Sequence, residues 1–213
     1  MRKTNLLILL CILATISNYF LDPEFIVNYL AFSGNNILSG RLWTPITALF
    51  LHANIVHLLG NSVFLYVFGN ALEEEVGSMK SLFAFFLGGF LAFFLSIPFY
   101  GYDTPMLGSS AAVFTLTAAV MLVKPLKFSL LFLMPLGLVA ILYFLYNIFA
   151  LQYGFQGNVG YLSHIIGFGI GLPLGITWSS RWKRNLLITI SLLALYFILQ
   201  FFLIPKILTY LGF

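Results

Sequence analysis

Apolar residues run in seven long stretches, approximately 4–21, 55–72, 81–100, 107–123, 128–151, 160–178 and 186–204. Short polar punctuation separates several of them: Glu73-Glu74-Glu75-Val76-Gly77, Gly101-Tyr102-Asp103-Thr104-Pro105, Lys124-Pro125 and Arg181-Trp182-Lys183-Arg184. A helix needs roughly 17–25 apolar residues to cross hydrocarbon, so the pattern predicts an all-α bundle of membrane-spanning helices. The last stretch reads either as a seventh span or as a tilted, partly interfacial helix ending at Pro205.

Composition supports the same class. Of 213 residues, 61% are hydrophobic and 8% charged, against about 25% charged in a soluble domain. The mean hydropathy is +1.03. The formal charge of +4 does not point to nucleic acid, because the basic residues sit in short loops and form no stripe. Cys11 is the single cysteine, which excludes an internal disulfide or a cysteine-based zinc site. The start, Met1-Arg2-Lys3 before apolar residues to Leu21, has the charge of a signal peptide. It has no clear small-residue cleavage site before Asp22-Pro23, so a retained first helix is expected.

Positive residues orient the spans. With the N-terminus inside, the inner side holds Arg2, Lys3, Lys80, Lys124, Lys127, Arg181, Lys183 and Arg184, and the outer side holds Arg41 and Lys206. The second, fourth and sixth segments then enter from outside, carrying His57, Ser110 and His164 near their starts. Polar side chains in hydrocarbon are costly and mark function by default. The fourth segment is also short: Leu107 to Val123 covers about 25 Å, less than the ~30 Å of hydrocarbon. Fixed at its inner end by Lys124, it would leave Ser110 at the floor of a depression open to water.

These residue types suit acyl transfer. Ser110 sits at a loop-to-helix junction in Leu107-Gly108-Ser109-Ser110-Ala111-Ala112, where Gly108 permits a tight turn and the helix start offers unpaired N–H groups. A serine hydroxyl needs a base to take its proton, and His164 is the candidate. His164, Gly167, Gly171 and Gly175 form a small-residue ridge on which membrane helices pack backbone to backbone, facing the equally small Ala111 and Ala112. His57 and Asn61, four residues apart, share a helix face and have donors suited to an oxyanion. His52 lies off that face and is expected to organise the preceding loop.

Each feature has a simpler reading. Ser110 alone could be an N-cap, a role open to Ser109 as well. His164 alone could be a packing hydrogen bond, and the glycine ridge is structural. Glu73-Glu74-Glu75 reads as a solvated inner loop, and Arg41 and Trp43 as interfacial anchors. The agreement of order, depth and spacing is what favours chemistry.

Taken together, the run His52-Ala53-Asn54-Ile55-Val56-His57-Leu58-Leu59-Gly60-Asn61, then Gly108-Ser109-Ser110, then His164-Ile165-Ile166-Gly167 with Gly171 resembles the rhomboid intramembrane serine proteases. That family carries H-x-x-x-x-H-x-x-x-N on its second helix, G-x-S-G opening its fourth, and a histidine before G-x-x-x-G on its sixth. The resemblance covers roughly residues 41–178. It implies a six-helix core within 1–180, then a basic inner loop and an additional C-terminal transmembrane helix in 181–213.

The resemblance also implies Ser110 as nucleophile and His164 as base, a dyad without aspartate. His57, Asn61 and the Ser110 N–H would make the oxyanion site, and Phe114 would pack on the base. His52 would bond within a partly membrane-embedded first loop. The fifth helix, kinked at Pro135, would help form a lateral gate. Substrates would be transmembrane helices cleaved near the outer face, with no metal or cofactor; apart from the resemblance, a prokaryotic plasma membrane fits so compact a chain. Three departures stand out: Ala111 replaces the glycine usual after the serine, Arg41 and Trp43 occur as Arg-Leu-Trp instead of Trp-Arg, and a seventh span extends the core. The alternative is a catalytically inactive rhomboid-like protein binding membrane clients. A transporter reading would call for intramembrane carboxylates or inverted repeats; no carboxylate is expected inside a span, and no repeat is evident.

Overall fold

The computed structural model describes residues 2–154 and 160–210. Met1 of the charged start and residues 211–213 of the C-terminal segment lie outside the described residues. Seven principal helices follow the apolar stretches: α1 (Lys3–Asn18), α2 (Ile55–Val76), α3 (Ser78–Tyr100), α4 (Ser110–Val123), α5 (Leu136–Gln152), α6 (Tyr161–Trp178) and α7 (Trp182–Lys206). Of these, α2, α3, α6 and α7 are long and apolar enough to cross a membrane, whereas α1, α4 and α5 are shorter apolar helices.

The axis of the molecule is α4, on which every residue from Ala111 to Leu122 is buried. Its side chains are largely small or β-branched, so neighbours approach its backbone. Gly88 of α3 faces Thr115, and Gly167, Gly171 and Gly175 of α6 face Ala111, Thr115 and Ala119. At Gly167 and Gly171 the atoms nearest an added Cβ would be the Ala111 and Thr115 carbonyl oxygens. The Thr115 hydroxyl closes the seam by donating to the Gly167 carbonyl at 2.8 Å. With matched steps of four on both helices, α4 and α6 run parallel in a fixed register.

The charged end of the bundle differs from expectation. α2 runs on through Val76, so Glu73-Glu74-Glu75 is helical and not a loop. Glu73 is buried and accepts from the Lys3 N–H at 2.8 Å, the Thr4 N–H at 2.9 Å, the Thr4 hydroxyl at 2.7 Å and the Ser78 hydroxyl at 2.7 Å. It therefore caps the N-terminus of α1, where orphan N–H groups and the positive end of the helix dipole favour a carboxylate. The solvated-loop expectation for Glu73 is thereby corrected: the helix outruns the apolar stretch, and this carboxylate is buried at its charged end. Glu73 is bonded to four donors, an occupancy that suits a cap and not an ion path. Around it Arg2 and Lys127 meet Glu74 at 3.2 and 2.9 Å, and Lys124 meets Glu75 at 2.5 Å. The bond and charge of Glu75 hold the Lys124 ammonium above its ordinary pKa.

The fifth helix begins at Leu136, not near 128. Residues 128–135 instead hold a two-stranded antiparallel ladder, β1 (Phe128–Ser129) with β2 (Met134–Pro135). Pro135 disfavours helical backbone at Met134, and the Ser129 hydroxyl takes the Phe132 N–H at 3.4 Å. Pro135 is the N-cap of α5 and so does not kink it. α7 docks through its first turns, where buried Asn185 donates to the Leu122 and Val123 carbonyls at 2.7 and 3.2 Å, two of the acceptors left orphaned at the end of α4.

Candidate active site

Ser110 is the first residue of α4, and the segment leading into it is held by the first loop. Phe32 and Met106 exchange backbone hydrogen bonds at 2.9 and 2.7 Å, and the Gly108 N–H donates to the Ala48 carbonyl at 2.8 Å. Gly108 has φ +115°, a conformation L side chains rarely adopt, and a Cβ there would stand 2.7 Å from His57 Cε1 and 3.0 Å from His57 Nε2. The turn thus requires glycine twice, once for backbone freedom and once because the His57 ring lies against it.

Ser109 is fully buried at the N-cap position but makes no side-chain cap bond. Its hydroxyl and its N–H reach His52 Nε2 at 3.3 and 3.5 Å. Because that N–H can only donate, Nε2 is the acceptor, and His52 Nδ1–H donates to Thr15 Oγ1 at 3.2 Å. Burial, with His57 adding to it, pushes the His52 imidazole down to about 4, which keeps it neutral for this role. His52 therefore ties the serine turn to α1 instead of bonding within the first loop, and the N–H of Ser109 is spent on it. The first helical N–H groups, beginning with that of Ser110, have no intrahelical acceptor; the Val113 N–H is the next to find one, in the Ser109 carbonyl at 2.9 Å.

On α2, Asn54 caps the helix by accepting from the His57 N–H at 2.8 Å. Asn61 Nδ2 donates to the His57 carbonyl at 3.0 Å, one turn back. His57 and Asn61 thus share a face as expected, with one Asn61 proton engaged locally. Arg41 donates to Asn36 Oδ1 at 2.7 Å and lies over the Tyr29 ring at 4.5 Å, while Trp43 Nε1 donates to the Tyr29 carbonyl at 2.8 Å. Both brace the first loop.

His164 opens α6 one turn before Gly167, and the α4–α6 register brings it level with the serine turn. Its ring is buried and stacks on Phe114 at 4.6 Å and 12°. Phe114 in turn stacks on Tyr143 of α5 at 4.5 Å. His164 Nδ1 meets Asn147 Oδ1 at 2.7 Å. Asn147, buried on α5, and Tyr143 did not emerge from the sequence. The rule that singled out His57 and His164, a polar group inside an apolar stretch, applies equally to Asn147. Among the described residues no hydrogen bond joins Ser110 to His164. The described residues hold no His/Cys/Asp/Glu cluster suited to a metal ion.

A parallel α4–α6 pair with a serine at the mouth of one helix and a histidine at the mouth of the other defines a class of membrane protein. The chain belongs to the rhomboid family: the Rhomboid domain model matches residues 39–181. It is a multi-pass integral membrane protein. Among curated relatives, it is 29% identical over 193 residues to Rhomboid protease GluP of Bacillus subtilis, covering 88% of this chain and 37% of that protein. It is 39% identical over 79 residues to Rhomboid-like protein 11, chloroplastic, of Arabidopsis thaliana, 37% of this chain and 28% of the relative. With Rhomboid protease GlpG of Salmonella newport the identity is 26% over 123 residues, 56% of this chain and 42% of that protein. The chain thus matches less than half the length of each of these relatives.

Proposed function

We propose that this protein is an intramembrane serine endopeptidase that cleaves transmembrane-helix substrates near the outer membrane face. The observation that carries the reading is the α4–α6 seam. Gly167 against Ala111 and Gly171 against Thr115 set a register in which the His164 ring stacks on Phe114, one turn along α4 from Ser110.

In this reading Ser110 Oγ attacks a substrate carbonyl while its proton passes to His164 Nε2. The oxyanion forms among the Ser110 N–H, His57 and the free proton of Asn61 Nδ2. His164 then returns the proton to the leaving amine, and water from the outer side hydrolyses the acyl-enzyme. The described part of α4, 14 residues or about 21 Å, supports a serine recessed from one membrane surface, where water and an unwinding substrate helix meet. The eight-to-two bias of Lys and Arg supports an inward N-terminus and an outward site. Substrates on this reading are single-span proteins with helix-weakening residues near the outer interface. The domain reading, a core in 1–180 with an added helix in 181–213, draws support from the family match at 39–181.

The test is labelling by an active-site-directed fluorophosphonate. The wild type is expected to label and Ser110→Ala to lose the label while keeping its fold. Equal labelling of both would remove Ser110 from the role, and absence of labelling in both would favour a client-binding rhomboid-like protein.

A further inference from the structure

We propose that Asn147 is a positioning residue that fixes the tautomer and orientation of His164, converting the expected dyad into a three-residue relay; this rests on the reading of His164 as the general base. Asn147 is only 1% exposed, on a helix whose other polar groups are tyrosine hydroxyls and the terminal Gln152. Both ends of its amide are engaged. Nδ2 donates to the Tyr143 carbonyl at 2.8 Å, and Oδ1 lies 2.7 Å from His164 Nδ1.

The assignment follows from donor and acceptor inventory. A backbone carbonyl can only accept, so the amide atom facing Tyr143 must be the nitrogen, and the atom facing His164 must be the oxygen. An amide oxygen can only accept, so His164 Nδ1 must carry a proton. In the neutral imidazole the lone pair is then confined to Nε2, the nitrogen on the opposite side of the ring. A base that is to take a proton from Ser110 needs this tautomer, and an isolated imidazole would populate both. The ring's remaining freedom is rotation, which Phe114 stacked at 4.6 Å and Tyr161 set edge-on at 6.5 Å restrict.

The arrangement is that of a nucleophile–histidine–amide relay, in which the third member acts through the second. When Nε2 takes the serine proton, the Nδ1–H···Oδ1 bond becomes charge-assisted and strengthens, so the amide also favours the imidazolium as it forms. One turn of α5, from Tyr143 to Asn147, supplies both the ring that backs Phe114 and the amide that holds His164.

The experiment uses the full chain in micelles and reads fluorophosphonate labelling as a function of probe concentration, for wild type, Asn147→Leu and Asn147→Asp. The expected result for Asn147→Leu is a limiting labelling rate lower by roughly 10–100-fold, with an unchanged half-saturating probe concentration. Asn147→Asp keeps an oxygen acceptor and is expected to recover most of the loss. A second readout is ¹⁵N NMR of labelled histidine in a Ser110→Ala background, which does not depend on activity. There His164 is expected as the Nδ1–H tautomer with Asn147 present and as a mixture in Asn147→Leu. Wild-type labelling with an Asn147→Leu rate equal to it, or an equal loss in Leu and Asp variants, overturns the positioning role alone. A wild type that does not label overturns the serine reading and this role with it.

Discussion

Gly167 of α6 lies directly against the Ala111 carbonyl of α4, so close that a side chain there would meet backbone and not a movable side chain. Gly167→Val is therefore expected to force the two helices apart beside Ala111, the residue that follows Ser110. The anticipated cost is roughly 1–3 kcal/mol of stability with loss of fluorophosphonate labelling. Gly169→Ala, on the same helix with open space at its Cβ, should leave both unchanged. Thermal unfolding in micelles beside the labelling assay measures the pair.

Gly108→Ala tests the turn that delivers Ser110. The substitution meets a φ of +115° and a His57 ring 2.7 Å away, a combination worth roughly 1–3 kcal/mol of strain. Labelling should slow by at least ~10-fold, because relief moves either the serine turn or a proposed oxyanion donor. Wild-type labelling with Gly108→Ala would mean that the turn does not govern Ser110.

His57→Ala and Asn61→Ala should each lower the labelling rate while leaving the fold intact. A main oxyanion donor contributes roughly 2.7–4 kcal/mol at most. Both donors are proposed to address one oxyanion, so the two losses should depart from additivity in the double variant. Unchanged rates in either single variant would remove that residue from the oxyanion site.

Glu73→Ala removes four hydrogen bonds at the far end of the molecule. It should destabilise by roughly 0.5–2 kcal/mol, the range for loss of a helix cap, and lower the thermal midpoint. The labelling rate of the folded fraction should stay as in wild type, since Glu73 belongs to the opposite end of the bundle from Ser110. A selective loss of labelling without loss of stability would contradict the capping role.

The helices and the α4–α6 seam were legible because they are written locally: apolar length gives the spans, and spacing of Gly and Ala gives the packing face. His57, Ser110 and His164 were legible because single polar residues stand out against apolar runs. Asn147 stands out in the same way, yet its meaning depends on which helix lies opposite, and sequence spacing does not give that. Glu73 was unreadable for a related reason, since its donors Lys3 and Thr4 come from the other end of the first two helices. Residues 128–135 misled because a short, mostly apolar run has no periodicity to separate helix from strand, and Leu130, Leu131 and Leu133 remain exposed in the turn between the two strands.

The cap built on Glu73 makes the two ends of this molecule mechanically unequal. Its carboxylate rivets α1, α2 and the start of α3 together, with the neighbouring ion pairs adding small, salt-sensitive contributions. At the opposite end, cohesion rests on loop backbone and on neutral side-chain bonds such as those of His52 and Asn147. Any parting of the helices that the proposed cleavage requires is therefore expected at the serine end, with the carboxylate end as the fixed pivot.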